Sequence, residues 1–441
     1  MMMPPIGGVL LIACSLPAAT YHVDALGLGG NPLDSNPGTA EKPWKSAMKA
    51  FTSASPGDTV IFRKGLYRMP RTLLTADLRL DPAEGRPFVF KALPGEEVII
   101  TVMKPVKAGD WKRIGSTRAG QPIYAAPSGE DGRVVNLTED GVPLARPFTS
   151  DPKLPHGDSL PEVISRPGEW AASLRDHRVM VCTTDGKPPG NRIEVCDVRG
   201  GNGGANLIDL QRDPANRCRN LRVVFENLIL EGGNFGLTIR TGSVELRRCV
   251  LRKSFSDLVN TQSGRLSAVD CDFSAFGESA IDVTGPGDSP LPPGTAPMCI
   301  RRCQFHHNAA VRGLAPKVKG YNAVMLKGGC SDILVEECEF HHLRITICAL
   351  ALGDDTAGVS TREGLRLTAR GNHFHHITGP APVVAFEDTE DCRFVGNRIT
   401  DCDVDGLIAF EGAPKGNVRV ESRDNLLRNN RVKGVAVKDS P

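Results

Sequence analysis

Residues 322–342 read N-A-V-M-L-K-G-G-C-S-D-I-L-V-E-E-C-E-F-H-H. The phrase divides into a strand (Ala323 to Leu326), a glycine turn, a second strand (Ile333 to Glu336) and a corner carrying Cys338 and Phe340. It recurs in degenerate form through the C-terminal half. Aligned on the corner, the column is Asn227, Cys249, Cys271, Cys303, Cys338, Asn372, Asn397, Asn425. Two residues on stand Ile229, Leu251, Phe273, Phe305, Phe340, Phe374, Ile399, Leu427. The steps are 22, 22, 32, 35, 34, 25 and 28 residues. A period in the twenties with insertions marks a solenoid, in which each repeat buries its apolar side against its neighbours. The repeats carry short alternating strands and no helical pattern. The expectation is an all-β parallel β-helix, one coil per repeat, with equivalent positions stacked ~4.8 Å apart.

Composition fits. Gly 47 and Pro 33 supply the turns of such a chain. With 53 basic and 51 acidic residues the net charge is +2, so no global field favours nucleic acid or an anionic membrane. Aromatics are only 5%, poor material for a broad sugar-stacking platform. Residues 1–19 read as an export signal, with an apolar run from Ile6 to Ala13 and small residues at Pro17-Ala18-Ala19. Leu11-Ile12-Ala13-Cys14 also has the form of a lipoprotein signal lipidated at Cys14. No other segment is long enough to span a bilayer. The expectation is a secreted, periplasmic or surface-held monomer. Of the 13 cysteines, the four in the corner column read as small buried hydrophobes alternating with Asn, while Cys182 and Cys196 flank a turn and are the better disulfide candidates. Asn372, Asn397 and Asn425 read as an internal ladder.

Taken in order, residues 20–95 form a cap and first coils. Trp44, Ala47, Met48 and Phe51 follow helical spacing, with Pro43 in the first turn and Pro56-Gly57 as the stop, suiting a plug for the open solenoid end. Residues 96–215 break the rhythm with Asp-Gly and Pro-Gly turns between short strands, an inserted antiparallel subdomain. Coils fill 216–441. The run Y-H-V-D…D-S-N-P-G-T…K-P-W-K…P-G-D-T-V-I-F-R-K-G-L-Y resembles the opening of secreted right-handed parallel β-helix proteins, a superfamily of pectate lyases, other polysaccharide lyases and many uncharacterised bacterial members.

That resemblance implies an enzyme acting on polysaccharide. A lyase of this fold removes the proton α to a uronic carboxylate, which needs a base and a cation to neutralise the acid. Outward positions of the first strands supply candidates: Arg240, Thr261, Thr284, Lys327, Gly353, Glu387, Glu411 and Lys438, beside Thr238, Val259, Asp282, Met325, Ala351, Ala385, Ala409 and Ala436. The lyase reading places calcium on Asp354, Asp355, Glu387 and Glu411. It gives the chemistry to Lys327, Arg312 and Lys319, and substrate contacts to Arg344, Lys317 and Asp282. A hydrolase is the alternative: Glu387 and Glu411 sit one coil apart, near ~5 Å, and Asp354-Asp355 resembles the paired acids of polygalacturonase-like enzymes, with Asp282 as third acid, although their G-H-G and R-x-K motifs are missing. A non-catalytic carbohydrate-binding or envelope protein is the third reading. A solvated charge ladder would explain the same residues blandly. Phe-His-His recurs at His306-His307, His341-His342 and His375-His376. Stacked histidines can take a transition metal. Repetition points instead to corner packing, with the singleton His373 a surface residue.

Overall fold

The computed structural model describes residues 18–80, 85–129, 134–147, 161–197, 205–211, 220–285, 298–308, 322–353, 362–411 and 416–439. Among these, three long sheets hold eleven, eleven and ten strands, each strand hydrogen-bonded to its counterpart in neighbouring coils. In the central coil, Val324–Lys327 belongs to the first sheet, Ile333–Glu336 to the second and Glu339–His341 to the third. All three pair in parallel with the coils on either side. The chain is a parallel β-helix, as the period requires.

The interior is made of columns. Phe273, Phe305, Phe340 and Phe374 are fully buried. Their rings stack with centroids 5.0, 4.7 and 4.5 Å apart, continuing the strand spacing into the side chains. Beside them run Cys249, Cys271, Cys303 and Cys338, all buried free thiols. At Asn372 the column changes chemistry without breaking. The Cys338 N–H donates to Asn372 Oδ1 (2.9 Å), the Asn372 N–H to Asn397 Oδ1 (2.9 Å) and the Asn397 N–H to Asn425 Oδ1 (3.0 Å). The ladder satisfies corner N–H groups that leave the sheet pattern, the obligation that every buried donor carries. The column begins at Leu228, not Asn227, and the apolar column at Leu230, not Ile229, because Ile229 pairs with Val250 and Leu230 with Leu251. Asn227 sits one residue earlier in a left-handed turn (φ 56°), where its Oδ1 accepts from Arg248.

That turn is itself a column. Arg248, Asp270, Arg302 and Glu337 adopt φ of 51°, 56°, 49° and 54°, and Gly371 and Gly396 take over in the next two coils. Arg302 donates to both carboxylate oxygens of Asp270 (2.6 and 3.0 Å) and lies 3.9 Å from Glu337. The signs therefore alternate along the corner.

At the N-terminal end the helix Ala47–Ser53 starts from Ser46, whose hydroxyl accepts from the Lys49 N–H. Pro43 and Trp44 lie before it rather than in its first turn; Trp44 is bridged to Val23. Phe51 points into the first coils against Phe62, Phe90 and Phe225. Apolar surface that would face water at the solenoid end is thus covered.

Between the coil strands Val98–Thr101 and Ile208–Leu210 lie two four-stranded antiparallel sheets. Their core holds Trp170, Leu137, Val179, Val181 and Ile193. They lean on the coils: the Asn136 amide donates to the Lys253 carbonyl (2.7 Å), and Trp170 meets Phe255 edge-on. Cys182 and Cys196 fall in different ones of these sheets and are free thiols, so the disulfide expected from their shared turn is not formed.

Candidate functional site

Each strand of the first sheet turns one mid-strand side chain outward. In register these are Asp209, Thr238, Asn260, Asp282, Met325, Ala351, Ala385 and Ala409. The sequence reading placed Val259 and Thr261 on this face; both are buried in the interior, because the strand is Val259–Gln262 and pairs Val259 with Leu237 and Ile281. The one-residue shift brings Asn260 out and corrects the face: polar as far as Asp282, apolar from Met325 on. Met325, Cys348, Ala351 and Ala385 form a small cluster of their own.

Lys327 and Asp282, chosen from the sequence, do meet: Nζ lies 2.9 Å from Oδ2, with both side chains largely buried. In this pair the lysine donates to the carboxylate. Around it gather two acids that sequence reasoning missed. Asp257 and Glu278 occupy equivalent turns from the third sheet back to the first, just before Val259–Gln262 and Ile281–Thr284. Gly277 and Glu278 both donate backbone N–H groups to the Ser256 carbonyl (3.2 and 3.1 Å), which fixes the turn.

Asp257 is buried, its Oδ1 taking the Ser279 N–H (3.1 Å) and its Oδ2 lying 2.8 Å from the Asn260 amide nitrogen. Burial pushes its carboxyl well above the ordinary carboxylate range, and the charges of Glu278 and Asp282 push further. Burial also raises Glu278; the Ser256 hydroxyl on Oε2 (2.6 Å) pulls it back in part, and Asp282 raises it again. The Asn260 amide oxygen is a buried acceptor without a partner among the described residues. Turning that amide over would bring the oxygen to Asp257 Oδ2, where it accepts the O–H of a protonated acid. The Asn322 amide oxygen, buried two coils further on, likewise lacks a partner among the described residues. Buried polar atoms gathered in this way are what a bound polar molecule satisfies.

The remaining candidates scatter. Glu387 and Glu411 stand opposite each other on adjacent strands, two coils and more beyond Lys327. Arg344 is exposed on the connection from the third sheet to the first, where its backbone N–H donates to Asn308 Oδ1 (2.9 Å). Arg312, Lys317, Lys319, Asp354, Asp355 and Cys14 lie outside the described residues. Asp257 and Glu278 had one readable signal, the equivalent turns S-F-S-D and F-G-E-S, but nothing in a turn motif shows that it is buried. No helix among the described residues is long and apolar enough to cross a membrane.

Residues 258–441 match the family model described as Right handed beta helix region, so these coils wind to the right. A solved glycoside hydrolase superposes with a TM-score of 0.53 at 11% identity, over 94% of this chain and 96% of its own. Pectate lyase Pel9A superposes with a TM-score of 0.38 at 11% identity, over 91% of this chain and 80% of that one. The uncharacterized protein YwoF of Bacillus subtilis (strain 168) is 33% identical over 78 residues, 18% of this chain. The match spans only 16% of that relative's length. At these identities the likeness to solved structures is one of fold: a right-handed parallel β-helix.

Proposed function

We propose that this is an exported polysaccharide-active enzyme that hydrolyses glycosidic bonds at the first-sheet face. One observation carries the reading: Glu278, a carboxyl raised above its ordinary value by burial, stands within electrostatic reach of Asp282, which is ion-paired with Lys327 at 2.9 Å. Glycoside hydrolysis uses two carboxyl groups in different surroundings, one to protonate the leaving oxygen and one to act as base or nucleophile at the anomeric carbon. In this reading Glu278 is the acid and Asp282 its partner. Lys327 holds Asp282 in place through their ion pair. Asp257 lies buried behind them. The superposition with a glycoside hydrolase over most of both chains is compatible with it.

The test is release of reducing ends from a panel of neutral and acidic polysaccharides. Glu278→Gln and Asp282→Asn should each lower kcat by ~10²–10⁴-fold, the usual worth of a positioned acid or base. Unchanged turnover in both variants would defeat the proposal. The second reading is β-elimination on an acidic polysaccharide, with calcium held by Glu387 and Glu411 together with Asp354 and Asp355; the register of Glu387 with Glu411 favours it. It predicts a product absorbing in the ultraviolet through a new conjugated double bond, and loss of activity on chelation.

A further inference from the structure

The third sheet's outer face carries seven of the ten histidines. Six form two stacked columns. His306, His341 and His375 follow one another at 4.9 and 5.2 Å, and His307, His342 and His376 at 5.2 and 5.0 Å. Within each coil the pair is joined Nδ1 to Nδ1, at 2.8, 2.9 and 2.7 Å. The second member of each pair sits in a left-handed corner, with φ of 49°, 51° and 53°. Repetition explains these six: they are the corner. It does not explain His373. In its register the coils carry Asp272, Gln304, Glu339, His373 and Arg398, so imidazole appears there once.

We propose that Glu339, His373 and His375 form a binding site for a divalent first-row transition-metal ion across two successive coils. One ligand atom from each lies within 4.8 Å of the others. Metal–ligand bonds of ~2.0–2.2 Å in a tetrahedral site set that separation at ~3.3 Å. All three side chains are half-buried on rigid strands. Two imidazole nitrogens and one carboxylate suit zinc, cobalt or nickel and leave positions for water; calcium, which takes oxygen ligands, is excluded. The His373 ring is steadied by the Thr400 hydroxyl, 3.0 Å from Nε2.

The paired corner supplies an outer partner. Without metal, His375 Nε2 lies 2.9 Å from Glu339 Oε1; in the tautomer that donates there, its Nδ1 accepts from the Nδ1–H of His376. To ligate, His375 gives up the Nε2 proton to solvent and takes the shared Nδ1 proton. His376 then accepts at Nδ1 and gains a proton from solvent at Nε2. No proton is lost overall. In the metal-bound state His375 Nδ1–H donates to His376, the arrangement that orients a ligating imidazole. A comparison lies in the same ladder: His306 reaches Asp272 (2.9 Å), but its own coil offers Gln304 where His375 has His373, so the third ligand is missing.

The experiment uses tag-free full-length protein, stripped with chelator and titrated with Co²⁺ by visible absorption and with Zn²⁺ by calorimetry. One equivalent should bind, with the visible bands of a nitrogen-ligated cobalt, and Ca²⁺ should not displace it. His373→Gln and His375→Gln should each weaken binding at least ~100-fold, and His376→Ala by ~10–100-fold, the usual cost of an outer partner. His306→Ala should leave affinity unchanged. The glutamine variants keep polar side chains of similar reach, and an unchanged melting temperature confirms their fold. No binding by the native chain, equal affinity in His373→Gln and His375→Gln, or an equal loss in His306→Ala would each overturn the site.

Discussion

The third sheet and the outer face of the first sheet are built on the same coils but obey different rules. Along the third sheet two positions of each central strand repeat, Phe beneath Phe and His beneath His. Along the first, Asp209, Thr238, Asn260, Asp282 and Met325 follow one another without repeating. A solenoid needs the same contact from each coil, so what recurs is what holds it together. What does not recur answers to something other than the coil. The lone His373 and the group Asp257, Glu278, Asp282 and Lys327 are the two places where the described coils depart most from their own pattern.

The comparison can be broken first in the Phe stack. Phe340 lies flat between Phe305 and Phe374 and is fully buried, so Phe340→Ala should cost ~3–5 kcal/mol in urea unfolding. A loss below ~1 kcal/mol would mean that the repeated column does not carry the coil. The corner column should give the next effect. Cys303→Ser, which buries a hydroxyl where the thiol touches the Ala268 and Arg301 carbonyls at 3.5 and 3.4 Å, should cost ~1–3 kcal/mol.

The smallest effects should separate the two faces by pH. Burial and the neighbouring His306 hold His341 down at about 4, against an ordinary value of 6.5. Its contribution is complete above pH 6.5 and is lost as the pH falls toward 4, because the unfolded chain then binds the extra proton. Asp257 has the opposite sign. Its raised carboxyl favours the folded state below the ordinary carboxylate range, and that contribution disappears as pH rises through the folded value. His341→Gln should therefore flatten the acid side of a melting-temperature profile, and Asp257→Asn the neutral and alkaline side, with the folded state no less stable at pH 8. If Asp257→Asn unfolds the chain as Phe340→Ala does, the acid cluster is structural.

The legible part of this molecule was its repetition. The spacing of Phe273, Phe305, Phe340 and Phe374 gave the coil, and Cys338 followed by Asn372 gave a shared interior column; each is confirmed by register. Slips occurred where a coil lacks those markers. With Asn227 and Leu228 adjacent, the repeat alone points to the polar residue as the interior one, and with Leu258 and Val259 both apolar it starts the strand one residue early. That second slip hid Asn260. A one-residue error in a strand exchanges its two faces, so it costs most where outward residues matter. Asp257 and Glu278 were hidden for another reason. A carboxylate in a turn ordinarily faces water, and its burial depends on what stands over the turn, which no local pattern records.

The alternating corner of Arg248, Asp270, Arg302 and Glu337 has a consequence for how the chain winds. Four stacked phenylalanines are interchangeable, and nothing in that stack tells one coil from the next. A nascent solenoid that skipped a coil would keep its aromatic contacts almost intact. The corner would not forgive the error: leaving out the coil of Asp270 sets Arg248 against Arg302, and leaving out that of Arg302 sets Asp270 against Glu337. Like charges placed opposite each other on neighbouring strands repel. The surface of the corner thus numbers the coils that the interior leaves anonymous, and it does so before any site on the outer faces has been assembled.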